Sequence, residues 1–287
     1  MKKILIPTDF SELSDFAIDF GLDLAHNAIS EVLIAHFVDT EMDPDFALAN
    51  DIDQTDFLFS QLSDDQKSEI HKLRDRFADS DIKVTVTVYG NGFLNGIQDF
   101  VKRNNVDLVV IGTSGQESFQ EFFSGNHAEQ LIEHLRVPVI SLKDPVKMED
   151  IKNVVLGLDI QEEPYQPWKM LHLTKRVLEC FDSKVHLVNI VPHKSAYHEE
   201  VRIKLGDIAE ELGLEKYQVN VIEHRNDFSG LVQFADKVDA RMICVFTHAR
   251  PGLYRFFQRS FANDLTMVSD MPVLVVNKRN VTKLDLT

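Results

Sequence analysis

The residues best placed to do chemistry in this 287-residue chain are three glycines and an asparagine. Gly112-Thr113-Ser114-Gly115 follows the apolar run that ends at Ile111, and nine residues further on Gly125-Asn126 opens an amphipathic stretch. Gly112 and Gly115 let the backbone turn tightly and let a phosphate approach the main chain with no Cβ in the way. Gly125-Asn126 sits where a helix starts, and the free amides and positive dipole end there favour an anion. Asn126 is also a preferred N-cap type. The chemistry offered is therefore a phosphate cradle. The Lys-Ser/Thr of a P-loop and the Gly-x-Gly-x-x-Gly of a dinucleotide fold are both missing, so the sequence does not support those two nucleotide classes.

The elements that must position this loop come as a duplication. Lys3 to Asp9 reappears as Asn153 to Asp159, each an aliphatic run ending in Asp. Val106 to Gly112 matches Asp239 to Phe246, and Arg136 to Lys143 matches Asp270 to Asn277. Val38 and Val191 are 153 residues apart, whereas Val84 and Val219 are 135 apart, so the first copy carries 18 extra residues between Asp39 and Lys83. That insertion holds Phe46, Phe57, Leu58 and Phe59 among acidic residues and is expected to form a short extra helix packed on its own module.

Strand patterns fall at 3–8, 31–38, 83–89, 107–112 and 137–142 in the first copy, with helices at 12–28, 64–79, 93–104 and 125–135. The second copy gives strands at 153–158, 184–191, 217–223, 241–246 and 273–277, with helices at 165–180, 196–212, 228–237 and 260–268. Ser11 precedes a helical face of Leu13, Phe16, Ala17, Phe20 and Leu24 and reads as its cap. Alternating aliphatic strands and helices predict an α/β fold of two tandem doubly wound modules, 1–146 and 147–287. Each is expected to be a five-stranded parallel sheet with helices on both faces. Ligands in such sheets sit at the carboxyl ends of the strands, where the strand order switches. The strands after Pro138 and Pro272 are expected to pair as edges.

Here the chain resembles the universal stress protein family, whose nucleotide-binding members carry Gly-x2-Gly-x9-Gly-Ser/Thr at this place. The resemblance covers nearly the whole chain, as a tandem member, and includes the opening Ile4-Leu5-Ile6-Pro7-Thr8-Asp9-Phe10-Ser11. It implies that Asp9 meets the adenine and ribose end of ATP, that Val38 touches the adenine through its backbone, and that Gly112, Gly115, Gly125 and Asn126 hold the ribose and phosphates. AMP or ADP would fit the same groups, and Mg could accompany the phosphates. Asn126 departs from the Ser/Thr of the family, but an amide still donates to a phosphate oxygen. The second copy keeps the spacing and loses the glycines: Phe246, Ala249 and Arg259 stand in their places, followed by Ser260. Each Cβ crowds the approach a phosphate needs, so that site reads as lost, leaving the second module a structural or regulatory role. Arg250, Arg255 and Arg259 read as a solvated or interface patch.

Composition narrows the partners. The net charge is −16, with 26 acidic and 11 basic side chains in 1–146 against 20 and 19 in 147–287. That balance argues against nucleic acid and anionic membrane. No apolar run approaches the roughly 20 residues of a membrane span, and the stretch before Pro7 is too short for a secretory signal. Cys180 and Cys244 make no disulfide framework, so a soluble cytoplasmic protein is expected, with a homodimer as its assembly. Asp159 reads as a helix cap rather than a ligand, and His193 and His198 with Glu199 and Glu200 as surface groups rather than a metal site. No Ser-His-Asp set, nucleophile elbow, general base or Ser/Thr–Asp metal pair stands near the loop. A stress-response nucleotide-binding protein is the first reading, set against a slow ATPase or self-phosphorylating protein and against an interaction protein that binds no nucleotide.

Overall fold

The computed structural model describes residues 1–28, 30–40, 53–112, 135–158, 160, 168–191, 198–224, 227–247 and 271–277. The chain divides into two compact units, Met1–Leu135 and Arg136–Thr287.

The first unit contains β1 (Lys3–Pro7), α1 (Glu12–Ala28), β2 (Glu31–Phe37), α2 (Gln54–Ser60), α3 (Asp64–Arg76), β3 (Val84–Tyr89), α4 (Phe93–Asn104) and β4 (Leu108–Gly112). Its strands are parallel in the order β3-β2-β1-β4. Pro7 lies opposite Ala35, and Phe37 opposite Tyr89. The chain builds outward from β1 through β2 to β3 and then returns to the far side of β1 for β4. Ile4 to Ile6, Val32 to Ala35 and Leu108 to Ile111 are all buried, as strands covered on both faces must be. Successive residues of β2 show the two layers. His36 reaches α3 through Gln66, while Phe37 packs edge-on against Phe100 of α4 at 5.9 Å.

The extra helix expected of the insertion is α2. Its Leu58 is buried with Leu62, Ile70 and Val88, and Phe10 and Val38 pack against that cluster. Two caps fix the segment: Asp53 accepts from the Thr55 and Asp56 amides, and Ser63 with Gln66 forms a reciprocal capping box at the start of α3. Phe46 lies outside the described residues.

The second unit contains β5 (Val139–Leu142), β6 (Asn153–Gly157), α5 (Trp168–Leu178), β7 (Lys184–Val191), α6 (His198–Glu211), β8 (Tyr217–Glu223), α7 (Asp227–Lys237), β9 (Met242–Thr247) and β10 (Val273–Asn277). Its strand order is β5-β10-β9-β6-β7-β8. Every pair is parallel except β5 with β10, where Val139 lies opposite Val275 and Ser141 opposite Val273. The strands after Pro138 and Pro272 therefore do pair with each other. The compact division falls before β5, so the strand that ends the first repeat in sequence is grouped with the second unit. With β5 and β10 set aside, β3-β2-β1-β4 and β8-β7-β6-β9 are the same pattern, which is the duplication expressed as topology. The helices expected at 125–135 and 260–268 lie outside the described residues.

Candidate functional site

The strand order of the first unit reverses between β1 and β4, and the carboxyl ends of those strands are where an open α/β sheet offers a crevice. Asp9 follows β1 and Gly112 ends β4, so the two sequence-predicted residues flank the switch point. The start of α1 lies there too, because a Cβ on Gly112 would fall 2.1 Å from the Leu13 carbonyl oxygen.

The loop after β1 is held by a chain of hydrogen bonds. The Phe10 amide donates to Thr8 Oγ1 at 3.0 Å, and Ser14 Oγ donates to the Ser11 carbonyl at 2.8 Å. With that proton committed, Thr8 Oγ1 donates to Ser14 Oγ at 3.0 Å. Asp9 Oδ1 accepts from the Ser11 amide at 3.0 Å and from Ser11 Oγ at 2.5 Å, while Ser11 Oγ accepts from the Ser14 amide at 3.3 Å. Ser11 is thus the predicted cap, and Asp9 holds it in place. Only Oδ1 of Asp9 is engaged among the described residues. Phe10 has φ of 66°, a left-handed conformation costly for an aromatic residue. Its ring lies 4.5 Å from that of His36.

Val38 follows β2 with both backbone groups in use. Its amide donates to the Tyr89 carbonyl at 2.9 Å, and its carbonyl accepts from the Gly92 amide at 2.9 Å. A second lone pair remains on that carbonyl. Gly115, Gly125 and Asn126 lie outside the described residues, so the structure places Asp9, Val38 and Gly112 of the six predicted residues.

His36 and Gln66 are not singled out by sequence reasoning. His36 is 7% exposed and places Nδ1 2.9 Å from the Thr8 carbonyl and Nε2 3.2 Å from Gln66 Nε2. A carbonyl only accepts, so Nδ1 carries the proton. Gln66 Oε1 is occupied by the Ser63 amide at 3.0 Å, so its NH2 faces the ring and Nε2 accepts. Burial, the largest influence, pushes the imidazole below its usual value against the opposing pull of Thr8 and Asp9. The second unit repeats the bond with another residue: Asn189 Nδ2 donates to the Leu158 carbonyl at 2.6 Å. Asn189 precedes Val191 by two as His36 precedes Val38, and Leu158 precedes Asp159 by one as Thr8 precedes Asp9. That shared offset is the signal that could have found it.

In the second unit the order reverses between β6 and β9. Leu158 donates its amide to Val188 at 2.8 Å, the counterpart of Thr8 to Ala35 at 3.0 Å. Asn189 Oδ1 is buried with no partner among the described residues. Asp159, Ala249, Arg250, Arg255, Arg259, Ser260 and His193 lie outside the described residues, and of Phe246 only the backbone pairing with Val276 is described. His198 Nε2 is 3.9 Å from Glu223 Oε1. Among the described residues no cluster of His, Cys, Asp or Glu is arranged to hold a metal, and no helix is long and apolar enough to cross a membrane.

A doubled, doubly wound α/β chain with its polar loop at the β1/β4 switch point is the class of protein defined so far. The model of the universal stress protein family matches residues 1–143 and again 150–277, and the chain belongs to that family, as a tandem member. A universal stress protein of Methanocaldococcus jannaschii is 26% identical over 146 residues, 51% of this chain and 84% of that relative. The crystal structure of a universal stress protein from Archaeoglobus fulgidus superposes with a TM-score of 0.66 at 16% identity, covering 96% of each chain. The cytoplasmic domain of a prokaryotic cation chloride cotransporter also matches, with a TM-score of 0.54 at 10% identity, covering 96% of this chain and 95% of that one. The last two are likenesses of fold, which by itself fixes no activity.

Proposed function

We propose that the chain is a stress-response protein that binds an adenine nucleotide, ATP first, in its first module. The observation that carries this reading is the switch point between β1 and β4, bounded by Asp9 and Gly112 and facing the start of α1. Among the described residues only Oδ1 of Asp9 is engaged, which leaves Oδ2 to a ribose hydroxyl. The Val38 amide is committed to the sheet, so the adenine contact narrows to the Val38 carbonyl accepting from the exocyclic amine. Gly115, Gly125 and Asn126 would hold the phosphates, with Mg as their companion. The second module, lacking the glycines, serves as a pseudo-copy for pairing and regulation, in a homodimer.

A second reading has one observation in its favour. Gly112 has a packing reason to be glycine that involves no ligand, so part of the glycine pattern is compatible with an interaction protein. Titration of ATP and AMP against the wild type, Gly115→Arg and Ala249→Arg, with phosphate release followed, separates the two. Stoichiometric binding lost only in Gly115→Arg supports the proposal. No binding to the wild type removes it, and turnover would restore the ATPase reading.

A further inference from the structure

We infer that His36 is a positioning residue whose neutral imidazole ties the Asp9 loop to helix α3, and that protonation opens this tie. In its bearing on ligand binding the inference rests on the function proposed above. One ring nitrogen donates to the Thr8 carbonyl, one residue before Asp9, and the other accepts from Gln66. Gln66 has no freedom to adapt. Its side-chain oxygen accepts from the Ser63 amide at 3.0 Å, and its backbone N–H donates to Ser63 Oγ at 3.2 Å, closing the cap of α3. A second proton on the imidazole turns Nε2 into a donor facing a donor. Rotating the Gln66 amide by half a turn would satisfy the ring but aim NH2 at the Ser63 amide and break the capping box. Protonation therefore costs a bond wherever Gln66 points.

Among the described residues, the groups facing His36 are few. Asp9, on the loop after β1, favours the charged ring, and the face of Phe10 lies against it. Helix α3 offers the neutral Gln66, and β3 offers Val88 at the paired position. Burial outweighs Asp9 and keeps the ring neutral at neutral pH. The second unit shows that the Thr8 bond needs no imidazole, because Asn189 makes it to Leu158 with an amide that does not titrate. The distinctive property of His36 is its connection to α3 and its response to acid.

The test uses the whole chain with His36→Asn and, in case that variant folds poorly, Gln66→Met. The Ser63 amide resonance of the wild type is expected to move with the midpoint of the His36 ring titration and to be flat in His36→Asn. ATP affinity of the wild type is expected to fall about fivefold as pH drops from neutral through the midpoint of the His36 ring, which burial holds below the usual 6.5, the equivalent of one lost cap bond. His36→Asn reports the contribution of ATP's own protonation, and its slope should be shallower. Gln66→Met should lose the acid step while keeping a titrating His36. A Ser63 amide that ignores the ring titration overturns the inference, as does an equally steep acid loss of ATP in His36→Asn. If the wild type binds no ATP at any pH, the function proposed above fails and the Ser63 resonance alone decides the tie.

Discussion

Gly112 and Leu13 are in backbone contact: a Cβ built on Gly112 would stand 2.1 Å from the Leu13 carbonyl oxygen and 2.5 Å from its carbon. No side-chain rotation relieves such an overlap, because both partners are main chain. The end of β4 and the first turn of α1 must therefore separate if residue 112 gains a methyl. Gly112→Ala is expected to destabilise the first unit by about 3 kcal/mol, the upper range for overpacking. The urea midpoint measured without nucleotide checks it, and a variant as stable as wild type would refute the packing assignment. Loss of ATP binding in this variant would not diagnose a phosphate contact, which is why Gly115 is the better probe.

The glycines of the helices divide by what a Cβ would meet. Gly96 in α4 would place one 2.6 Å from the Gly90 carbonyl and 2.8 Å from Phe37 Cδ1, whereas Gly206 in α6 meets nothing within 4 Å. Gly206→Ala is expected to stabilise by about 1 kcal/mol through helix propensity alone. Gly96→Ala should destabilise by about 2 kcal/mol despite the same propensity gain. Thermal midpoints of the two variants shifting in the same direction would contradict this division. Gly230 occupies the corresponding place in α7, where the obstacle is the His224 side chain at 2.7 Å.

The strands and two of the helices were legible because period and caps are local: α1, α4, β7, β8 and β10 have the ends expected of them, while α3, α5, α6 and α7 differ from expectation at one or both ends. Asn105 and Asp239, both at positive φ after α4 and α7, show how faithfully the duplication is built. The placement of Asp9 after β1 and of Gly112 at the end of β4 was legible, because their residue types and place after apolar strands advertise a strand end. The commitment of the Val38 amide was not legible, since it depends on how far β3 runs beside β2. Nor was the His36–Gln66 contact, which joins residues 30 apart whose types give no pattern until the helix is laid on the sheet. The antiparallel β5–β10 pair required knowing which edges meet, and Pro138 and Pro272 supplied that only by marking the strands as edges.

Tyr89 carries a pH dependence of its own at the end of β3. Its hydroxyl donates to Asp99 Oδ2 at 2.6 Å, and Arg103 Nε lies 2.7 Å from the same oxygen. Burial, followed by the bond to Asp99, pushes the phenol from 10.0 up to about 12. Burial tends to raise Asp99, but the bonds from Arg103 and Tyr89 overcome it and hold the carboxyl below its usual value. The signs follow from linkage. The raised phenol contributes stability that is complete below pH 10 and is lost as pH rises towards 12. The depressed carboxyl contributes stability that is present above 3.8 and is lost as pH falls through its folded value. Tyr89→Phe is expected to cost about 1 kcal/mol at neutral pH, one hydrogen bond to a partly exposed carboxylate. It should also remove the alkaline loss between pH 10 and 12, while the acid loss persists through Arg103. Urea midpoints across both ranges measure this, and a variant with the wild-type alkaline slope would assign that slope to another group.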